Sequence, residues 1–154
     1  RSENMIISIT GHRSDKLTCG EEHVKDLLRT YLVNMRATKI IQGMANGVDL
    51  WSAEVAYELG IPFVAARPWA GHSARREDAD LYSWAMMNAD LIVNVDESTS
   101  YAGPWVYQKR NEWMVNHSNG TLAIYNGTKG GTANCVQYAR KLGRQLIIVN
   151  PEEI

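Results

Sequence analysis

Apolar and polar positions along this chain follow two alternating periods. Residues 5–10, MIISIT, are a nearly continuous apolar run, the pattern of a parallel strand buried on both faces. Similar short runs recur at KIIQGM (39–44), IPFVAA (61–66), LIVNVD (91–96), TLAIYN (121–126) and QLIIVN (145–150). Between them the period lengthens to that of a helix. Residues 21–36 set Val24, Leu27, Leu28, Tyr31, Leu32 and Met35 on one stripe, with acids leading and Arg36 closing, as the helix dipole favours. Further helices are predicted at 47–60, closed by Gly60, in a segment ending near Asn88, at 105–117 after a Gly-Pro break, and at 133–142. Strands alternate with helices across short connections and no repeat interrupts them. The expectation is a single α/β Rossmann-like domain over residues 5–150, a mostly parallel sheet with helices on both faces.

Ligands of open parallel sheets bind beyond the carboxyl ends of the strands, and there the small and polar residues of this chain gather. TGHR follows the first strand, with Gly11, His12 and Arg13; Arg13 suits a phosphate or carboxylate, and His12 a ribose or base. GMANGVD ends the second, with Gly43, Met44, Ala45, Gly47 and Asp49. Asp49 is placed to cap the helix or to contact a ribose, capping being the commoner use. NGTKGGTAN follows the fifth strand, where Gly130, Gly131 and Thr132 precede a helix whose free N–H groups attract anions. Alone, that turn fits a phosphate cradle and a plain capped turn equally well. Trp69, Tyr101 and Trp105 lie in strand-end loops, where they can stack on a base or pack the loops. On the helix at 105–117, Val106, Trp113 and Met114 read as core, whereas Arg110 and Glu112 are candidates to reach the crevice from its edge.

Composition narrows the function classes. The chain has 154 residues and a formal charge of −1, so no global basic surface exists to collect nucleic acid, although Arg75 and Arg76 allow a local patch. No apolar run approaches the length of a membrane span. Cys19 and Cys135 stand apart from each other and from any metal-binding spacing, so reduced cysteines, no metal and a cytoplasmic setting are expected. Residues 1–4 lack the apolar core of a signal peptide and read as a tag or disordered start.

Taken in order, ITGHR, GMANGVDLWSAEVAYELGIP, GPWVYQKRNEWMV and NGTKGGTANCVQYARKLGR resemble the SLOG superfamily, which joins the DNA-processing protein DprA with the LOG-type proteins. The resemblance runs from Met5 to about Val149 and is closest to the YpsA-like bacterial and phage branch. It implies a nucleotide or nucleotide-derived ligand at the strand ends, with some members serving as sensors in conflict between phages and bacteria. LOG enzymes cleave the N-glycosidic bond of nucleoside monophosphates with a helix arginine and a glutamate after a GGxGTxxE loop. Arg110 resembles that arginine, and KGGTANCV that loop. Asn134 stands at or near the position of the glutamate, and no acid occurs between Gly130 and Val149. A carboxylate stabilises the oxocarbenium character of glycosidic cleavage and an amide only hydrogen-bonds.

The reading favoured by these residues is therefore binding, without a resident cofactor, of a nucleoside monophosphate or ADP-ribose-like molecule. In it Arg13 and the Gly130–Thr132 amides hold phosphate, Asp49 or Asn134 the ribose, and a loop tryptophan such as Trp105 the base. The alternative is a nucleoside monophosphate N-glycosidase with Arg110 and Glu112 as catalytic residues, Asp49 and Glu54 being the other candidate acids. Single-stranded DNA binding, from the DprA resemblance of GMANGVD, is third, and a homodimer is expected.

Overall fold

A computed structural model of the protein describes residues 4–153, so the expectation for residues 1–3 lies outside the described residues. The elements are β1 (Ile6–Gly11), α1 (Glu21–Asn34), β2 (Lys39–Gln42), α2 (Val48–Glu58), β3 (Phe63–Trp69), α3 (Ala79–Asn88), β4 (Leu91–Asp96), α4 (Trp105–Asn116), β5 (Gly120–Ile124), α5 (Gly131–Leu142) and β6 (Gln145–Val149). Short 3-10 turns lie at Ser14–Lys16 and Arg76–Asp78. The strands form one sheet in the order β4-β3-β2-β1-β5-β6, and every pairing is parallel. The chain thus winds outward from β1 to one edge, crosses back through α4 and winds outward again, leaving the topological switch point between β1 and β5.

Strand alternation sorts the core onto two faces. Ile7 and Ile9 of β1, Ile40 of β2 and Phe63 and Ala65 of β3 pack with Val24, Leu28 and Leu32 of α1, Val55 of α2 and Ala85 of α3. Their neighbours Ile41, Val64 and Ala66 face the other way onto Met114 of α4, and Val115 of α4 meets Cys135 and Ala139 of α5. Helices α1, α2 and α3 therefore cover one face and α4 and α5 the other. Trp113, read as core from sequence, is half-buried and stacks on His117 with ring centroids 4.2 Å apart. Both cysteines are free thiols.

Several boundaries differ from the sequence-based ones, each for a local reason. β2 stops at Gln42 because Met44 takes a left-handed φ of 65°. β3 runs on to Trp69 despite Pro68: past Ala65 it pairs only with β4, so the proline's missing N–H breaks no ladder on the β2 side. α1 ends at Asn34, two residues before Arg36, whose φ is 57°. α2 starts at Val48 with Gly47 as its N-cap, which corrects the expectation that Asp49 caps it.

Candidate functional site

The loops beyond β1, β2, β3 and β5, together with the inner side of α4, enclose a cleft of about 640 Å³ across the switch point. Its two ends differ in chemistry. At the β5 end, α5 begins at Gly131, so Thr132 belongs to its first turn and does not cap it. The N-cap is Gly130, in a conformation (φ 144°, ψ −160°) open to glycine, with no side-chain capping bond. The first intrahelical bond is from Asn134 N–H to Gly130 carbonyl, 3.1 Å, which leaves the amides of the first turn free beside the cleft. Gly131, Thr132 and Asn134 line it. Arg13, exposed, and Lys16, whose ammonium reaches the Lys129 carbonyl at 3.3 Å, line it from the β1 loop. Among the described residues neither cation has an ion-pair partner.

The floor is a buried pair. Arg110 Nη1 donates to the Gly43 carbonyl and Nε to Asn111 Oδ1 at 3.1 Å, while Asn111 Nδ2 donates to the Gly131 carbonyl at 3.4 Å. This chain ties α4 to the α5 turn. Asp49 Oδ2 accepts the Ala45 N–H at 3.2 Å. A Cβ on Gly43 would lie 2.7 Å from the Arg110 guanidinium carbon and 2.9 Å from Asp49 Oδ2. Gly43 thus leaves the room that both side chains occupy, and it does not itself line the cleft. Burial pushes the Asp49 carboxyl up to about 6, and Arg110 and the Ala45 and Gly43 amides pull against that rise.

The β3 end is aromatic. Trp69 makes edge contacts with His72 at 5.0 Å and Tyr107 at 5.9 Å, and a tilted contact with Tyr101 at 5.2 Å. Trp69, His72 and Tyr107 line the cleft. Arg67 holds this wall in place by donating to the Tyr82 hydroxyl, Asn94 Oδ1 and the His72 carbonyl. Burial first, then Arg110, Arg67 and Arg13, lower His72 to about 4, so its ring is neutral. The loops themselves are joined at Asn46: its Oδ1 accepts the Ser14 N–H at 3.1 Å and the Ser14 hydroxyl at 2.9 Å, and its Nδ2 donates to Asp78.

Of the residues expected from sequence, Gly11, His12, Arg13, Met44, Ala45, Asp49, Arg110, Gly131, Thr132 and Asn134 line this cleft. His12 is nevertheless committed: its Nε2 accepts the Asn126 N–H at 3.1 Å, and burial and Lys16 lower its pKa. Gly47 serves close packing, since its Cβ would meet the His12 carbonyl at 2.6 Å, whereas Gly130 meets only the end of the Lys16 side chain and is set by its φ of 144°. Trp105 is half exposed with Lys109 over its ring, outside the cleft. Glu112 is also outside, accepting from Gln108 Nε2 at 3.2 Å, because residues two apart on a helix point to different sides. Glu54 pairs with Lys25 of α1. Lys16, Asn46, His72, Tyr107, Gln108 and Asn111 were not singled out by sequence. Asn46, Lys16 and His72 lie in the loops beyond strand ends, His72 in RPWAGH (67–72), and Asn111 beside Arg110.

Fold and site together define a Rossmann-like protein with an open cleft at the switch point. The chain belongs to the YspA SLOG family, whose model matches residues 4–146. It is 42% identical over 88 residues to the SPbeta prophage-derived protein YoqJ of Bacillus subtilis, a match covering 48% of this chain and 52% of that one. The matched segment spans about half the length of the curated relatives. DNA processing protein A of Helicobacter pylori, solved for its single-stranded DNA binding mode, shares the fold at TM-score 0.74 and 20% identity, over 94% of this chain and 64% of that one. The molybdenum cofactor carrier protein of Chlamydomonas reinhardtii does so at TM-score 0.62 and 16% identity, over 95% and 76%. At such identities the likeness is one of fold.

Proposed function

We propose that the cleft binds a nucleoside phosphate, with the anion at the α5 turn and the base against Trp69 and Tyr107. The observation that carries this reading is the pairing of two unlike ends. Free helix amides with Arg13 and Lys16 suit a phosphate. An aromatic wall suits a planar ring. The ends belong to strands three places apart, β3 and β5, a separation of about 14 Å at the ordinary strand spacing of ~4.8 Å. A sugar carrying one or more phosphates can bridge such a gap, with Asp49 of the floor and Asn134 of the α5 turn as partners for its hydroxyls. The prophage origin of YoqJ supports a sensing or sequestering role in conflict between phage and bacterium.

Calorimetry with AMP, CMP and ADP-ribose tests the proposal: binding should weaken at least about tenfold in Arg13→Ala, given the loss of a charge-assisted contact. No binding by any of them would refute it. Cleavage of the N-glycosidic bond is the second reading, favoured by one observation, the buried Asp49 carboxyl raised toward neutrality inside the cleft. It replaces Glu112 with Asp49 as the acid, and the same samples, chromatographed after long incubation, would show free base for wild type and none for Asp49→Asn. The protein is also read as a homodimer, with exposed Met87, Leu91 and Ile92 near the β4 edge offering apolar surface to a second copy. Light scattering should give twice the chain mass; the mass of a single chain would contradict it.

A further inference from the structure

The hydrogen-bond pattern around Tyr82 fixes what the aromatic end of the cleft offers a ligand. The Tyr82 hydroxyl donates to the His72 carbonyl at 2.9 Å and accepts from Arg67 Nε at 3.1 Å. A phenol has one proton, and that proton is used. The remaining contact, 2.9 Å between the Tyr82 hydroxyl and His72 Nδ1, is satisfied when Nδ1 carries the imidazole hydrogen. In the neutral ring Nε2 is then a lone-pair acceptor. Among the described residues no hydrogen bond engages that nitrogen, and the ring lines the cleft. Gln108 repeats the theme from α4. Its Nε2 donates to Glu112, while its Oε1 is buried with no donor. A buried acceptor left unmatched is costly, and a turn of the Gln108 side chain toward the cleft would give it a ligand N–H.

We propose that this end of the cleft selects a nucleobase bearing an exocyclic amino group, with His72 Nε2 and Gln108 Oε1 accepting its N–H groups and Trp69 and Tyr107 flanking the ring. The inference rests on the nucleotide reading above. A keto base brings one ring N–H but turns its carbonyl lone pairs toward the second acceptor, which is the repulsion that makes a site selective. Adenine and cytosine can satisfy both acceptors through the amino group; hypoxanthine and uracil satisfy at most one.

Titration calorimetry with AMP against IMP, and CMP against UMP, tests the idea, because within each pair amino replaces keto on the same ring system. For whichever pair binds, the amino member should bind about tenfold or more tightly. His72→Phe keeps a flat ring but removes the acceptor, and Gln108→Leu removes the other; each should bring the ratio toward one, with thermal melting confirming that the variant is folded. Equal affinities in wild type, or a ratio unchanged in both variants, would overturn the proposal and leave nucleotide binding standing. If none of the four binds, both readings fall.

Discussion

Asp49 is the residue whose environment departs most usefully from its chemistry in water. It is buried beneath the cleft, takes the Ala45 amide, and has its folded pKa raised from 3.8 to about 6, chiefly by burial. A folded value above the unfolded one means that Asp49 costs no stability while protonated in both states, below about pH 4. Ionisation then costs stability as pH rises through about 6. His12 and His72 act oppositely: with folded values below 6.5, their neutral rings favour folding above that pH and oppose it as pH falls, toward about 4 for His72. Comparing Asp49→Asn with wild type isolates the aspartate, since Asn can still accept the Ala45 amide. In urea unfolding the variant should gain roughly 2–3 kcal/mol on wild type between pH 4 and pH 7.5, the linkage equivalent of such a shift. A difference that stays constant with pH would contradict the burial argument. At this scale the sequence identified Asp49, Arg13 and Arg110 through their chemistry, but it assigned Gly43 to the ligand. Its actual task is to leave room for Arg110 and Asp49, and its carbonyl takes the Arg110 guanidinium, a contact that joins the end of β2 to α4 and leaves no local trace.

At the scale of elements, the decisive feature is that α5 begins at Gly131, inside the glycine run. Moving the start two residues earlier turns that run from a loop before the helix into the helix's own uncapped first turn. The strand and helix order was legible because periodicity is local. The ends were less so, as β3 shows: its continuation through Pro68 depends on which neighbour pairs with it, and that is a property of the sheet. The loops present the same difficulty. Asn46 links the β1 loop at Ser14 with the Asp78 turn, and neither partner is near it in sequence. Asn46→Ala removes all of these bonds at once. It should lower stability by about 1–3 kcal/mol in urea unfolding and weaken nucleotide binding by loosening the cleft wall. Unchanged stability and unchanged binding would show that the three loops hold their places independently.

For the whole molecule, the sheet order explains why one cleft can hold such unlike ends. Loops from both windings meet only at the switch point, so the turn after β5 with its free helix amides and the aromatic wall after β3 face a common space. The α/β class and the place of the cleft at the strand ends were readable from the sequence, because alternation of elements dictates them. Which aromatic residue enters the cleft was not: Trp105 and Trp69 both follow strands, and only the packing of α4 against β3 and β4 turns one outward and the other in. The central claim concerns place as well as affinity, so the most direct measurement is an AMP titration of isotope-labelled protein followed by amide NMR. The account predicts saturable shifts at Gly131, Thr132 and Ala133 together with the indole of Trp69, at one common dissociation constant. Shifts confined to other surfaces, or none at any concentration, would contradict it.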